Sequence, residues 1–233
     1  MRHWLALTLL VGSLAVGGAS AAPKKSGDAG PELADTWYAA SLARGAGQFL
    51  VTHYWSKGSL LRSETVAAGR RLITIVDATT YYIIDPTTPD AIAIARSPLS
   101  MAGDAKRKRP FADELSALIR GGGERVDQDE VSGMTVDRYQ LTNEAGRVQV
   151  WARTDLDLPV RVDRYIRASS DREQIDYINW LRGLPIDDGF FAPPAGLEIA
   201  RYGYEEYITK TMTVRLGPAP PFYAHLLHGE PND

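Results

Sequence analysis

The chain has no cysteine at all. A disulfide framework is therefore excluded, and so is a lipid-bearing cysteine behind a signal sequence. Past residue 21 no stretch approaches the roughly 18 consecutive apolar residues of a spanning helix, so the mature chain is expected to be soluble. Positive charge is not in excess: 26 Lys and Arg face 29 Asp and Glu, a formal net charge of −3, and nucleic acid is not an expected partner. A nucleophile elbow, a phosphate loop and an HExxH pair are also missing. No enzyme and no cofactor is expected.

What is present is an ordinary globular composition over 233 residues, 44% hydrophobic and 24% charged, which suits one domain or at most two. Residues 1–21 stand apart. Arg2 and His3 precede the run "WLALTLLVGSLAVGGA", and Ala19–Ala21 offer the small residues of a cleavage site. This reads as a secretory signal peptide cut after Ala21, and it predicts a periplasmic protein. Without Arg2, 25 basic residues face 29 acidic ones, about −4. Residues 22–30, "APKKSGDAG", read as a flexible leader, residues 31–216 as the folded domain and residues 217–233 as a C-terminal tail.

The organising stretch is "SLLRSETVAAGRRLITIVDATTYYIID", residues 59–85. Its β-branched and aromatic residues predict strands over Leu60–Val66, Arg71–Asp77 and Tyr81–Asp85, joined by turns at Gly69 and Asp77. Gln48–Trp55 precedes them as a strand, and Ala91–Arg96 follows. The second half alternates again in "MTVDRYQLT", "RVQVWAR", "PVRVDRYIR", "EQIDYINWL" and "YITKTMTVRL". Clean alternation gives each strand one wet and one dry face. Two helices are predicted. The first runs from Pro31 to Gly45 with Trp37 as its anchor. The second starts at Pro110, places Phe111, Leu115, Leu118 and Ile119 on one face, and ends at Gly121–Gly123. That apolar face must dock, either as a permanent filling or as a lid that moves aside for a ligand. The expected fold is mainly β: one strongly curved antiparallel sheet of about ten strands, an incomplete barrel, with both helices on its concave side.

Candidate chemistry is sparse. His53 lies within a strand with no Cys, Asp or Glu at ligand spacing, so no metal is expected. Asp187 and Asp188 read as a turn, and His225 and His228 lack a third ligand. The run Lys106, Arg107, Lys108, Arg109 is either a solvated loop or a docking surface for an acidic partner or anionic headgroups.

Four pieces, in order, resemble the periplasmic outer-membrane lipoprotein carrier (LolA-like) superfamily, with its related sensor and lipid-carrier proteins. They are "LITIVDATTYYIIDP", "RPFADELSALIRGG", "VQVWARTDLDLPVRV" and "LPIDDGFFAPPAGLEI", and the resemblance spans roughly Trp37 to Ile199. The family's "(K/R)RP" is absent, "LLRSET" stands in its place, and the chain runs on from Arg201 to Asp233. The resemblance implies an apolar cavity for acyl chains, lined by Phe49, Leu61, Ile73, Ile75, Tyr82 and Ile84, with Phe111, Leu115 and Leu118 from the plug helix. In that family an arginine latches the lid, and Arg62 is the residue at that place here. The implied function is a carrier of acylated lipid or lipoprotein, with inner- or outer-membrane proteins as partners. An envelope sensor using the same cavity is the alternative, in which "PAPP", Phe222 and Tyr223 of the tail contact a partner.

Overall fold

Strands form almost wherever side chains alternate. In the computed structural model, which describes residues 35–45 and 47–229, they are β1 (Thr36–Gly45), β2 (Gln48–Lys57), β3 (Leu60–Ala67), β4 (Arg70–Val76), β5 (Thr80–Ile84) and β6 (Asp90–Ala95). The second half adds β7 (Glu124–Val131), β8 (Met134–Thr142), β9 (Gly146–Arg153), β10 (Pro159–Ile166), β11 (Asp171–Arg182) and β12 (Glu198–Tyr202). Short helices are α1 (Pro98–Gly103), α2 (Glu114–Arg120), α3 (Tyr204–Thr211) and α4 (Ala224–His228). The signal peptide and leader read from the sequence lie outside the described residues.

All twelve strands belong to one curved, unclosed sheet in the order β12-β6-β5-β4-β3-β2-β1-β11-β10-β9-β8-β7. Consecutive hairpins build the run β1 to β6 and the run β7 to β11. Pairing of β1 with β11 joins them. The sheet is not wholly antiparallel, because β12 pairs with β6 in parallel.

The two faces carry different cores. The inner face bears α2 and the C-terminal segment, and its cluster includes Tyr54, Leu61, Val76, Tyr81, Ile83 and Val162. On the outer face Ile73, Ile75, Tyr82, Ile84, Ala91 and Ala93 pack under Leu197 and Ile199. Both faces of β4 and β5 are thus buried, which explains their unbroken apolar runs. Each large aliphatic or aromatic side chain so buried contributes about 1.5–3 kcal/mol.

Several expectations are corrected. Residues 36–45 form a strand, not a helix: they are hydrogen-bonded on both edges, to β2 and to β11. Pairing on two sides outweighs a helix-like spacing of Trp37, Ala40 and Arg44. Gly45 does not cap a helix. A Cβ there would lie 2.7 Å from the Arg172 carbonyl oxygen of β11, so the close approach of strands requires glycine. "YITKT" is helical within α3, with Glu205 and Glu206 in its first turn and Lys210 paired to Glu206 at 2.8 Å. The strand β7 carries no alternation to announce it, because "ERVDQDEV" is almost wholly exposed. Its charges pair across to β8, Arg125 with Asp137 and Asp127 with Arg138, as suits a protected edge. The segment 217–229 is no separate tail. Leu226 and Leu227 are buried, and Ala219 joins the same core.

Candidate functional site

The middle of the inner face is floored by small and hydroxylic residues. Tyr54 on β2 is flanked by Thr52 and Ser56, Leu61 on β3 is followed by Ser63 and Thr65, and Thr74 lies between Leu72 and Val76 on β4. All these Ser and Thr are buried. Thr52 and Thr65 hydroxyls meet at 3.1 Å, and Ser41 meets the Tyr54 hydroxyl at 3.0 Å. Small residues on a curved sheet leave room above them, and two elements occupy part of that room.

The first is the plug. It begins with a hook, Arg109–Ala112, before α2. Ala112 sits in the left-handed region at φ 53°, which turns the chain sharply back. The Arg109 guanidinium donates to the Ala112 carbonyl at 2.9 Å and lies over the rings of Trp37 and Trp180 at 5.4 and 5.0 Å. Burial pushes its pKa down from the ordinary arginine value. Phe111 is sandwiched between Tyr54 and Trp180, with centroids 4.8 and 5.7 Å away. The helix proper therefore starts at Glu114 rather than Pro110, because the hook takes up the residues before Asp113. Leu115 and Leu118 enter the inner core, and Ile119 faces outward, half exposed.

The second is the C-terminal segment. Its Tyr223 packs against Tyr54 at 6.0 Å, and its backbone N–H donates to the Tyr81 hydroxyl at 3.2 Å. The Tyr223 hydroxyl lies among Ser63, Thr65, Tyr54 and Thr52. Arg96, just past the end of β6 and with no exposed side-chain surface, donates to the carbonyls of Leu226, Asp77 and Ser100 and makes a two-oxygen pair with Asp104. It binds the C-terminal segment, α1 and the β4–β5 turn together.

Between plug and C-terminal segment lies a cavity of about 440 Å³, within the range of ligand pockets. Ala43, Leu50 and Ile175 give it an aliphatic wall, Phe111 and Phe222 an aromatic one, and Thr52 and Thr65 a hydroxylic floor. At one side stand Glu114, Tyr177 and Arg164. The Tyr177 hydroxyl donates to Glu114 Oε1 at 2.9 Å. Burial, then the adjacent carboxylate, pushes the Tyr177 pKa well up, so it remains a donor. Tyr54 and Tyr223 are raised likewise, chiefly by burial.

The sequence-predicted lining divides by face. Leu61, Phe111, Leu115 and Leu118 lie in the inner core, though of these Phe111 alone touches the cavity. Ile73, Ile75, Tyr82 and Ile84 are corrected to the outer face, where they pack under Leu197 and Ile199. Phe49 is 58% exposed and pairs with Arg44 on the outer side. Arg62 also faces outward, over the Phe190 ring at 4.7 Å and bonded to the Phe190 carbonyl, away from the plug. The basic run is not one solvated surface. Arg109 is buried as described, and Arg107 is turned in on Asp104 at 3.2 Å, whereas Lys106 and Lys108 are exposed. Asp187 caps the turn at Gly189, and Asp188 pairs with Lys57. His53 accepts or donates at Nδ1 to Tyr38, and His228 does so to Tyr204. The residues that sequence reasoning passes over, Glu114, Arg164, Tyr177 and the Ser/Thr floor, are polar positions on otherwise apolar faces. The available signal is the recurrence of Ser and Thr at alternate positions in three successive strands.

No protein-family model matches the chain, and no curated protein matches it. Among described residues no helix is long and apolar enough to cross a membrane. The structure is similar to an uncharacterized conserved protein from Thermus thermophilus, with a TM-score of 0.54 at 9% identity over 73% of this chain and 92% of that one. It is also similar to the MucA/MucB complex structure of Pseudomonas aeruginosa, with a TM-score of 0.45 at 12% identity over 71% of this chain and 58% of that one. The Mycobacterium tuberculosis lipoprotein LppX gives a TM-score of 0.41 at 12% identity over 66% of this chain and 89% of that one. In keeping with the motif resemblance, the likeness is one of fold.

Proposed function

We propose that this protein binds a lipid in the inner-face cavity and acts in the periplasm as a carrier that hands acyl chains on. The observation that carries the reading is the cavity itself, bounded by the plug hook on one side and by the C-terminal segment on the other. Its aliphatic and aromatic walls suit a hydrocarbon chain. The energetics favour a shuttle over a sink. Burying a chain of about 16 carbons releases about 12 kcal/mol at roughly 0.8 kcal/mol per methylene. Displacing Phe111 from its place between Tyr54 and Trp180 offsets part of that gain and leaves a complex that can be surrendered.

Native mass spectrometry of the mature protein purified from a periplasm, with lipid extraction, tests this. The expected result is a bound lipid that a bulky Ala117→Trp substitution in the cavity wall displaces. An empty protein that also refuses a fluorescent fatty acid overturns the reading. A lipid that stays bound in the presence of acceptor membranes, while a protein partner is captured by crosslinking, favours a sensor over a carrier.

A further inference from the structure

One carboxylate oxygen in the cavity has a role that acyl binding does not explain. Glu114 Oε2 is buried and has no hydrogen-bond partner, although Oε1 of the same group accepts from Tyr177. A buried acceptor left without a donor is costly and calls for a partner. On the same carboxylate, Arg164 reaches Oε1 only at 3.6 Å, and it reaches Glu173 only at 3.9 Å, both beyond hydrogen-bond range. An anion and a cation thus stand side by side in one cavity wall, each with hydrogen-bonding capacity to offer a ligand. The rings of Tyr54, Tyr223 and Phe222 line the same cavity.

We propose that Glu114 and Arg164 form a recognition site for a zwitterionic head group, an ammonium joined to a phosphate, so that the ligand class of the cavity is an aminophospholipid. This deepens the lipid-binding reading and rests on it. The ammonium donates to Glu114 Oε2 and is flanked by aromatic faces, which attract cations. The phosphate accepts from the Arg164 fork, a geometry guanidinium matches well. Arg164 and Glu114 are close enough, at 3.6 Å between Nη2 and Oε1, for one compact zwitterionic head to engage both side chains. The alternatives fit worse. A head bearing phosphate alone brings negative charge to Glu114 and leaves Oε2 without a donor. A fatty acid carboxylate engages Arg164 at most.

The test is competition by native mass spectrometry on the mature chain. The four probes are phosphatidylethanolamine, phosphatidylglycerol with the same acyl chains, palmitic acid, and glycerophosphoethanolamine without chains. The expected result is a preference for phosphatidylethanolamine over phosphatidylglycerol of about tenfold, the scale by which a charge-assisted hydrogen bond to a carboxylate exceeds one from a neutral hydroxyl. In Glu114→Gln, which keeps an oxygen for Tyr177, that ratio falls to about one. The wild-type ratio stands as evidence whether or not the variant folds. Equal binding of the two phospholipids overturns the head-group inference and leaves the lipid reading intact. Binding of none of the chain-bearing probes overturns both. Tight binding of the chain-free head alone overturns the lipid assignment and identifies the ligand as a soluble zwitterion.

Discussion

The ring of Phe111 lies on that of Tyr54 with centroids 4.8 Å apart and planes 10° from parallel. One ring belongs to the plug and the other to the sheet, so this stack is the joint between the moving and fixed parts of the proposed site. Phe111→Ala removes it together with the stack on Trp180. The expected loss of stability is about 3–5 kcal/mol, the range for a buried Phe cut to Ala. Denaturant titration measures it. A loss below about 1 kcal/mol would show that the plug is not held by this ring.

Arg109 is the second fastening. It holds the hook by donating to the Ala112 carbonyl and by lying over Trp37 and Trp180. Arg109→Met keeps much of the volume but removes the charge and the donor. Amide hydrogen exchange across residues 110–120 is expected to speed up by about tenfold or more, with β2 to β5 little changed, because local opening is then easier than global unfolding. Uniform acceleration throughout the chain would mean that Arg109 supports the whole fold rather than the plug.

The strands are legible in the sequence because β-sheet alternation is local, and Leu60–Val66 or Met134–Thr142 announce themselves without reference to a partner. The face is not legible. Both sides of β4 are buried, so Ile73 and Ile75 look as good a lining as Leu72 and Val76. Only the path of residues 197–199 across the outer face decides between them. Residues 36–45 show the same limit from the other side. Their strand identity comes from neighbours supplied by β2 and by β11, the latter far away in the chain. The polar members of the candidate site escape for a related reason. Arg164 and Glu114 look like surface charges until β10 and α2 are brought together.

Arg96 carries a heavy local load of polar contacts, and its side chain has no exposed surface. Removing it leaves Asp104 with Arg107 as its cationic partner and strands the carbonyls of Leu226, Asp77 and Ser100. Arg96→Met is expected to destabilise by about 3–5 kcal/mol, the penalty of breaking a buried pair. Limited proteolysis should then cut first in the segment 217–229. Resistance equal to wild type would assign the anchoring of that segment to Leu226 and Leu227 alone.

Asp85 provides a pH handle. Its carboxylate accepts from the Thr87 hydroxyl and backbone and pairs with Arg70, and these hydrogen bonds hold its pKa down at about 2, against an ordinary 3.8. A folded-state pKa below the unfolded one stabilises the fold at pH above 3.8, and that stability is lost as pH falls through 3.8 toward about 2. With solvent screening at the largely exposed Arg70, the shift is worth about 1–2 kcal/mol. Asp85→Asn should therefore be less stable than wild type at pH 7, with the gap closing toward pH 2. Thermal melts across that interval measure it, and a gap independent of pH would place the effect in packing.

The C-terminal segment offers the sharpest test of how the inner face is filled. Truncation before Phe222 removes Tyr223 from Tyr54, takes buried Leu226 and Leu227 out of the inner core, and deletes the carbonyls that Arg96 and Ser97 bond. It also takes from the Tyr81 hydroxyl the Tyr223 backbone N–H that donates to it. The expected outcome is exposure of the inner face, read as strong binding of an environment-sensitive apolar dye and a much lower melting temperature. Leu226→Ala and Leu227→Ala should each cost about 2–5 kcal/mol while retaining the fold. If the truncated chain instead melts like wild type and leaves the dye unbound, the segment is an appendage. The cavity then has one movable wall, the plug, and any ligand must enter past Phe111.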